Sequence, residues 1–415
     1  MTAEMEPVED FRRRARAWLA DNMPPFEGMS SGNYQEEGRR DHERMLQRRL
    51  FDGGFAGICW PAEYAGLGLT IEHQRAFTDE SQPYDMPYSL NVPTFGILAA
   101  TLIDFGTHEQ KARHLPAILK GEELWVQFLS EPSGGSDLAG VLTRAERDGD
   151  VYILNGSKIW SSGAAESDYA MCLARTNWDV PKHRGLTMFI MKIHQPGVTV
   201  EQIRQVDGSL EFCQEFFDDV PIPASDVIGE VDDGWTVATH LLVHERNAVG
   251  GGSPYLSGRS GSHEAGGRDD RVAEVVRRAG RTNDPHARQL VAEAAIRQLV
   301  GHHLVRRVTQ GMTTGAMAPP ASSVLKLYSA TAQMRRVEIG LEVTGSDAVV
   351  WPEGDDGPGR GLGEFSLWRQ GLSLGGGSNE IQRNIISERL LGMPRELAAD
   401  RDVPYRDVKR GGTRG

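Results

Sequence analysis

The chain has 415 residues, too many for one average domain and enough for two or three domains with well-buried cores. Its 45 Lys and Arg against 58 Asp and Glu give a formal net charge of −13, which disfavours nucleic acid and anionic membrane as partners. Three scattered cysteines, no long apolar run and an N-terminus unlike a signal peptide predict a soluble, cytoplasmic protein without structural disulfides or a cysteine metal site.

Three predicted regions of different character follow one another along the chain. Residues 1–121 carry apolar residues at helical spacing, as in RRDHERMLQRRLFDGG, and predict an all-helical N-terminal domain. Residues 122–230 carry β-branched and alternating runs that predict a small antiparallel sheet or barrel, with a hairpin turn at Asn155-Gly156. Residues 231–396 return to helical periodicity and predict a C-terminal bundle, so the expected fold class is α+β.

Segments rich in glycine and charge interrupt or end this pattern. Gly250–Asp270 and Pro352–Glu364 are predicted to be mobile loops. Residues 397–415 are expected to form a flexible tail.

A glycine run precedes the last predicted helix, in LGGGSNEIQRNIISERLLG. Backbone N–H groups at such a helix start can hold an anion, but no Gly-Lys-[Ser/Thr] follows, which excludes a P-loop. Ser378 or Asn379 is the expected N-cap and Gly392 the expected C-cap. From these residues alone, ordinary helix capping and ligand binding are equally open.

Three segments, QFLSEPSGGSD, NGSKIWSSG and NEIQRNIISERLLG, follow one another in this order. Together they resemble the acyl-CoA dehydrogenase family, and the resemblance extends over residues 8–396. The resemblance implies a helical domain, an antiparallel β-barrel and a four-helix bundle, with FAD between barrel and bundle and a partner subunit covering part of it. It also implies an acyl-CoA substrate and a homo- or heterotetramer. Because nothing resembles a nucleotide-binding Gly-x-Gly-x-x-Gly after a strand, no nicotinamide dependence is expected.

The resemblance also implies roles for individual residues. Trp160 would lie against the flavin ring, and Ser136 and Arg246 would contact the acyl-CoA. The alternative is that Trp160 is a core tryptophan and that the Ser-Gly pairs are ordinary turns. The positions implied to contact the cofactor are Gln127, Leu129, Ser130, Gly135, Ser136, Trp160, Ser161, Ser162, Ser378 and Glu380.

The catalytic base is expected at an unusual position. Dehydrogenation of a thioester needs a base for the α-proton, and a carboxylate in a dry pocket suits that task. Most family members place a glutamate before the last helix, where this chain has Gly376, which has no proton-accepting side chain. A minority, resembled by isovaleryl-type dehydrogenases and by actinobacterial enzymes for bulky or steroid-derived acyl-CoAs, place it on the first bundle helix before an arginine. Glu245 and Arg246 match that place, so Glu245 is the implied base; the alternative is a solvated Glu-Arg pair.

Other positions bear on the assembly and on metals. The family usually grips the partner subunit's FAD with an arginine and with a Gln-x-x-Gly-Gly segment. In this chain Arg281 matches the position of that arginine only approximately, and Glu342 and Ser346 stand where Gln and Gly are expected. Such losses suit heteromeric assemblies in which two related chains bind fewer flavins than usual. No histidine pattern has the spacing of a metal site, so no metal is expected.

The sequence therefore predicts an FAD-dependent acyl-CoA dehydrogenase that passes its electrons to an electron-transfer flavoprotein. Two alternatives remain open. One is a non-catalytic or half-site companion subunit of a heteromeric enzyme, and the other is an oxidase or flavin monooxygenase of the same fold that uses oxygen. The identity of the acyl group is not predicted, because pocket depth depends on how several loops and helices meet.

Overall fold

Helices form the first part of the chain, as the apolar spacing predicts. In the first helix, Phe11, Ala15 and Leu19 recur every four residues and are buried. The helix that begins at His108 has a reciprocal cap, in which the Thr107 hydroxyl accepts from Gln110 N at 3.2 Å and the Gln110 side chain accepts from Thr107 N at 3.0 Å. These elements are α1 (Val8–Asn22), α2 (Arg39–Asp52), α3 (Ile71–Ser81), the π-helix Asn91–Ala99, α4 (Ala100–Phe105) and α5 (His108–Leu119).

Two units make up the chain. The computed structural model describes residues 5–26, 38–88, 91–249, 253–256, 258, 271–348 and 358–408. The first unit comprises Met1–Gln205, Ser209–Gly261 and Ala398–Gly415. The second unit comprises Val206–Gly208 and Ser262–Leu397.

An open mixed sheet lies in the first unit. Its strands are β1 (Trp125–Phe128), β2 (Arg144–Asp148), β3 (Val151–Ser162), β4 (Tyr169–Arg175), β5 (Leu186–Lys192), β6 (Val198–Gln202), β7 (Phe212–Pro223) and β8 (Val227–Ile228). The order is β6-β7-β3-β2-β4-β5-β8, and β1 pairs with β4. The predicted α+β class with a central sheet between helical regions is confirmed, but the sheet is not the antiparallel barrel that the resemblance implies. The strands β6 and β8 do not pair with each other among the described residues, and β1 and β2 run parallel to β4.

The hairpin predicted at Asn155-Gly156 is also wrong. Both residues lie inside the continuous strand β3, which pairs along its length with β7. The register shifts between Leu154 and Gly156, so the Asn-Gly pair forms a bulge, and Gly156 has the positive φ of 148° that such a kink favours in glycine. The turn between β2 and β3 is instead at Gly149, where φ is 59°.

The helix α6 (Gly234–Val249), expected to begin the C-terminal bundle, groups with the first unit. It packs against β5 and the π-helix. Its residues Val237, Ala238 and Leu241 join the core formed by the N-terminal helices and one face of the sheet. This packing fixes the orientation of the side chains on its buried face.

The second unit is helical, as predicted for the end of the chain. Its small core includes Val275, Leu290 and Ile339. Its helices are α7 (Arg271–Arg278), α8 (Pro285–Thr313), α9 (Ser322–Thr344), α10 (Pro358–Trp368), α11 (Gly371–Leu374) and α12 (Asn379–Ile385), which continues as the π-helix Ile386–Leu390.

Two predicted irregular segments differ from expectation. The loop predicted at Pro352–Glu364 is helical from Pro358 onward, because Leu362 packs on the core of the second unit. In the predicted tail, residues 398–408 pack on the first unit instead, with Tyr405 only 4% exposed. Residues 352–357, residues 409–415 and most of the predicted loop Gly250–Asp270 lie outside the described residues. In the described part of the chain, no helix is both long and apolar enough to span a membrane.

Candidate active site

The side chains of Glu245 in α6 and Gln127 in β1 meet in the first unit. Gln127 Nε2 donates a hydrogen bond of 2.7 Å to Glu245 Oε2. Glu245 is 9% exposed, because it lies four residues after Leu241 and three before Ala248 on the buried face of the helix. A solvated Glu-Arg pair therefore does not describe Glu245, and the neighbouring Arg246 is itself partly buried.

The amide oxygen of Gln127 is a second feature of this contact. Gln127 Oε1 is buried and has no hydrogen-bond partner among the described residues. A buried polar atom without a partner costs about 1–3 kcal/mol. The atom is therefore a candidate contact for a donor group of a ligand that binds beside Glu245.

A turn of exposed small residues follows the end of β1. Leu129 is buried and Ser130 is partly buried, while Gly135 and Ser136 are exposed. The backbone holds the turn at both ends, since Ile159 N donates to Ser130 O at 3.0 Å and Gly134 N donates to Glu131 O at 2.9 Å. A Cβ at Gly135 would lie 3.3 Å from Ser130 Oγ, so this glycine allows the two sides of the turn to approach closely.

Trp160 lies at a kink in β3 and points away from the core. Its φ is 67°, which is unusual for a large side chain, and the register with β7 shifts between Ile159 and Ser161. The side chain is 55% exposed and touches Phe212 edge-on, at 5.8 Å between ring centroids. The alternative of a core tryptophan is thus wrong, because the bulge turns the ring outward.

The two serines after Trp160 differ in orientation. Ser161 is buried, and its hydroxyl donates to Glu215 Oε2 at 3.0 Å. Ser162 is exposed. Only the Ser162 hydroxyl therefore faces solvent, as a contact to a cofactor edge would require.

A buried network of charges beneath the kink was not identified from the sequence. Lys158 Nζ donates to Glu131 Oε1 at 2.9 Å and to Leu129 O at 3.0 Å, and both charged side chains are almost fully buried. Burial would raise the pKa of Glu131, but Lys158, Thr143 and the backbone N–H of Leu142 more than offset it, so that pKa lies below its usual range. Burial raises the pKa of the neighbouring Glu215 to about 7. One signal was available, since the two-residue alternation of β3 places Lys158 on the inner face.

The glycine run and the last helix lie in the second unit. Ser378 is the N-cap, accepting from Ile381 N at 3.3 Å, and Glu380 is exposed in the first turn. Gly376 and Gly377 have φ of 66° and 84°. Their carbonyls accept hydrogen bonds from Gln382 Nε2 at 3.0 and 3.2 Å, so the glycine run is hydrogen-bonded to the helix that follows it.

Arg281 is engaged within the second unit. Its guanidinium donates to Glu342 O at 3.2 Å and to Val343 O at 2.9 Å, and it pairs with Asp284. These carbonyls belong to the last turn of α9, where a cation is favoured by the helix dipole. Within the described residues no group of three or more His, Cys, Asp or Glu is placed to hold a metal ion.

Comparisons with known proteins agree over most of the chain. Family models for the N-terminal, middle and C-terminal domains of acyl-CoA dehydrogenase match residues 5–122, 127–220 and 232–391. The acyl-CoA dehydrogenase IpdE1 of Mycobacterium tuberculosis is 36% identical over 404 residues, which cover 94% of this chain and 99% of that protein.

Solved structures show the same similarity. The steroid ACAD Tcur3481-Tcur3483 matches with a TM-score of 0.72 and 27% identity, over 94% of this chain and 99% of that one. The ChsE4-ChsE5 complex from Mycobacterium tuberculosis matches with a TM-score of 0.67 and 26% identity, over 95% of this chain and 100% of that one. With a relative 36% identical along nearly its whole length and all three domain models matched in order, the chain belongs to the acyl-CoA dehydrogenase family.

Proposed function

We propose that the chain catalyses the α,β-dehydrogenation of an acyl-CoA thioester to the 2-enoyl-CoA, with Glu245 as the base that takes the α-proton. The contact between Glu245 and Gln127 carries this proposal. A general base must be held at a fixed place and away from bulk water. Glu245 meets both conditions, since it is buried on α6 and one of its oxygens is held by the Gln127 amide. The amide is a neutral donor, so this contact orients the carboxylate without neutralising it.

The residues of the first unit fit a flavin cofactor. Members of this family are flavoproteins, and a bound FAD would accept the hydride lost from the β-carbon. The exposed ring of Trp160 offers a surface for stacking, and the exposed hydroxyls of Ser136 and Ser162 offer hydrogen bonds. Gln127 Oε1, which has no hydrogen-bond partner in the described part of the chain, offers an acceptor beside the base. We also propose Ser378 and the exposed Glu380, at the start of the last helix, as contacts to the cofactor.

A bulky acyl group is the first class of substrate to test. The similar protein Tcur3481-Tcur3483 is named a steroid ACAD, so steroid-derived thioesters should be tested first in a panel of substrates. Arg246, partly buried beside the base, is the proposed contact to the acyl-CoA together with Ser136. We propose an electron-transfer flavoprotein as the electron acceptor. Rapid reoxidation of the reduced protein by air would favour the oxygen-using alternative instead.

A half-site companion subunit is the second candidate function. This role is favoured by Arg281, because its guanidinium binds Asp284 and a carbonyl at the end of α9 in its own unit, whereas the corresponding family arginine binds the partner subunit's FAD. Two of the similar solved structures are named as pairs of chains, which makes a heteromer with a related chain the arrangement to test. A protein that binds no flavin alone, but completes the activity of such a partner, would favour this role.

The decisive experiment replaces Glu245 by Gln in flavin-replete protein. The change keeps the shape of the side chain and removes the proton acceptor, so substrate-dependent bleaching of the flavin should fall by roughly 10²-fold or more. Flavin content should change little. Glu43→Gln is the matched control, because Glu43 is also a buried glutamate on a helix of the first unit. Bleaching of the Glu245→Gln variant at the parent rate with the best substrate would place the base elsewhere.

A second variant tests the empty position at Gly376. Adding Gly376→Glu to Glu245→Gln supplies a carboxylate at the position that most of the family uses. Gly376 has a φ of 66°, which strains any side chain, so we expect at most partial recovery of bleaching.

A further inference from the structure

Residues 398–408 form a segment, here called the C-terminal strap, that packs on the first unit. The strap lies beyond residue 391, the last residue matched by the C-terminal family model. It follows the second unit in sequence but rests on the sheet and its loops. The strap therefore lies outside the part of the chain that the family models match.

Tyr405 anchors the strap. It is buried, and its hydroxyl donates to Gly140 O at 2.5 Å. Its backbone N donates to Val180 O at 2.9 Å, and its ring stacks on Trp178 with 5.6 Å between centroids. These contacts join the strap both to the loop after β4 and to the segment that follows the turn at Ser136.

Arg175, in β4, contacts both Tyr405 of the strap and the segment that follows Ser136. It is fully buried, and its guanidinium carbon lies 3.8 Å from the centroid of the Tyr405 ring. The guanidinium also donates to Ala139 O at 2.6 Å and to Val141 O at 3.2 Å. The ring of Tyr405 thus covers a cation whose hydrogen bonds fix residues 139–141.

Lys182 makes a third link. Its ammonium lies 3.0 Å from Asp137 Oδ1 and 3.4 Å from Asp400 Oδ2 of the strap. Asp137 directly follows Ser136. The residues from Gly135 to Asp137 are exposed, and the strap and its partners hold the segment that follows them.

We propose that the strap positions residues 135–141, which include Ser136 at the end of the turn, for binding of the acyl-CoA thioester, with Tyr405 as the positioning residue. This inference rests on the proposed function, because Ser136 is the substrate contact that the turn carries. Without the strap, Arg175 would lose the ring that covers it and Gly140 O would lose its donor. The turn would then sample more conformations, and ordering it would weaken substrate binding.

The test compares the full chain with a variant that ends at Leu397, and with Tyr405→Phe, which removes only the hydroxyl. We expect hydrogen exchange of residues 135–141 to rise about tenfold in the shortened variant, and KM for the thioester to rise about tenfold with a smaller change in kcat. Tyr405→Phe should show a smaller change of the same kind. Asp402→Asn, at an exposed strap position, is the control and should behave as the parent.

A synthetic peptide of residues 398–415, added to the shortened variant, should restore both exchange and KM in a saturable manner. Such rescue distinguishes loss of the strap from general misfolding. Unchanged exchange in the shortened variant, or raised exchange with an unchanged KM, would overturn the inference. A parent protein that is inactive with every thioester would overturn the proposed function instead, and the exchange measurement would still decide whether the strap holds the turn.

Discussion

Removing Lys158 should destabilise the sheet strongly, because it leaves a charge buried without its partner. Lys158 Nζ is 2.9 Å from Glu131 Oε1, and the exposed fractions of the two side chains are 0% and 4%. In Lys158→Met, Glu131 keeps the donors Leu142 N and Thr143 N, at 2.6 and 2.9 Å, but loses its cation. Breaking a buried pair in this way costs about 3–5 kcal/mol. The double variant Lys158→Met with Glu131→Leu should lose less free energy of unfolding than the two single variants together, because it leaves no unpaired charge.

The loss should also depend on pH. In the parent, Lys158 helps to hold the pKa of Glu131 below its usual range. Without Lys158, burial dominates and the folded-state pKa of Glu131 should rise above its unfolded value. Stability is then lost as pH rises through the folded pKa, so the deficit should be larger at pH 8 than at pH 5.

Native-state hydrogen exchange at the paired amides of β3 and β7 is the appropriate assay, because it reports the opening free energy of the sheet separately from the second unit. Lys192→Met, at an exposed position of β5, is the control and should leave the exchange unchanged. A Lys158→Met variant that loses less than about 1 kcal/mol, or a double variant worse than the sum, would refute the reasoning.

Three further predictions follow from other positions. Trp160→Ala should weaken flavin retention about fivefold or more while changing thermal stability little, because the ring is 55% exposed; equal retention in equilibrium dialysis would contradict the proposed contact. Burial raises the folded pKa of Glu215 to about 7, so the parent should lose stability as pH rises toward 8, and Glu215→Gln should flatten that dependence in thermal melts from pH 5 to 8. Gly156→Ala should cost about 1–3 kcal/mol in urea unfolding, since φ is 148° and the new Cβ would lie 2.6 Å from Thr143 Oγ1; an unchanged midpoint would show that the strand relaxes.

Local signals predicted the helices well and the sheet less well. The apolar spacing around Phe11 and Leu19 reports directly on a buried helix face, so it needs no knowledge of distant residues. Asn155-Gly156 has the sequence of a tight turn, but pairing with all of β7 favours a continuous strand with a bulge. Closure of a barrel depends on whether β6 and β8 meet, and no pattern within either strand encodes that contact.

The candidate site was predicted unevenly for similar reasons. Glu245 was proposed as the base from its match to a family position and from the apolar residues around it, and its burial could be expected from the same pattern. Its partner Gln127 lies 118 residues away in sequence, so their contact is visible only in the fold. Trp160 was assigned a ligand contact by resemblance, whereas its outward direction results from a backbone kink that propensities do not report. Tyr405 was missed because glycine, charge and proline around it resemble a disordered tail.

The path of the chain has a consequence for the order of synthesis. The first unit receives its last segment only after the whole second unit has been made, because the chain leaves it after residue 261 and returns at residue 398. On the ribosome, the sheet can therefore form while Arg175 and Gly140 still lack the Tyr405 ring and hydroxyl that cover them in the finished fold. A nascent chain extending to residue 397 contains every described strand of the sheet but lacks the contacts of the strap, so the first unit is both the first to begin folding and the last to finish.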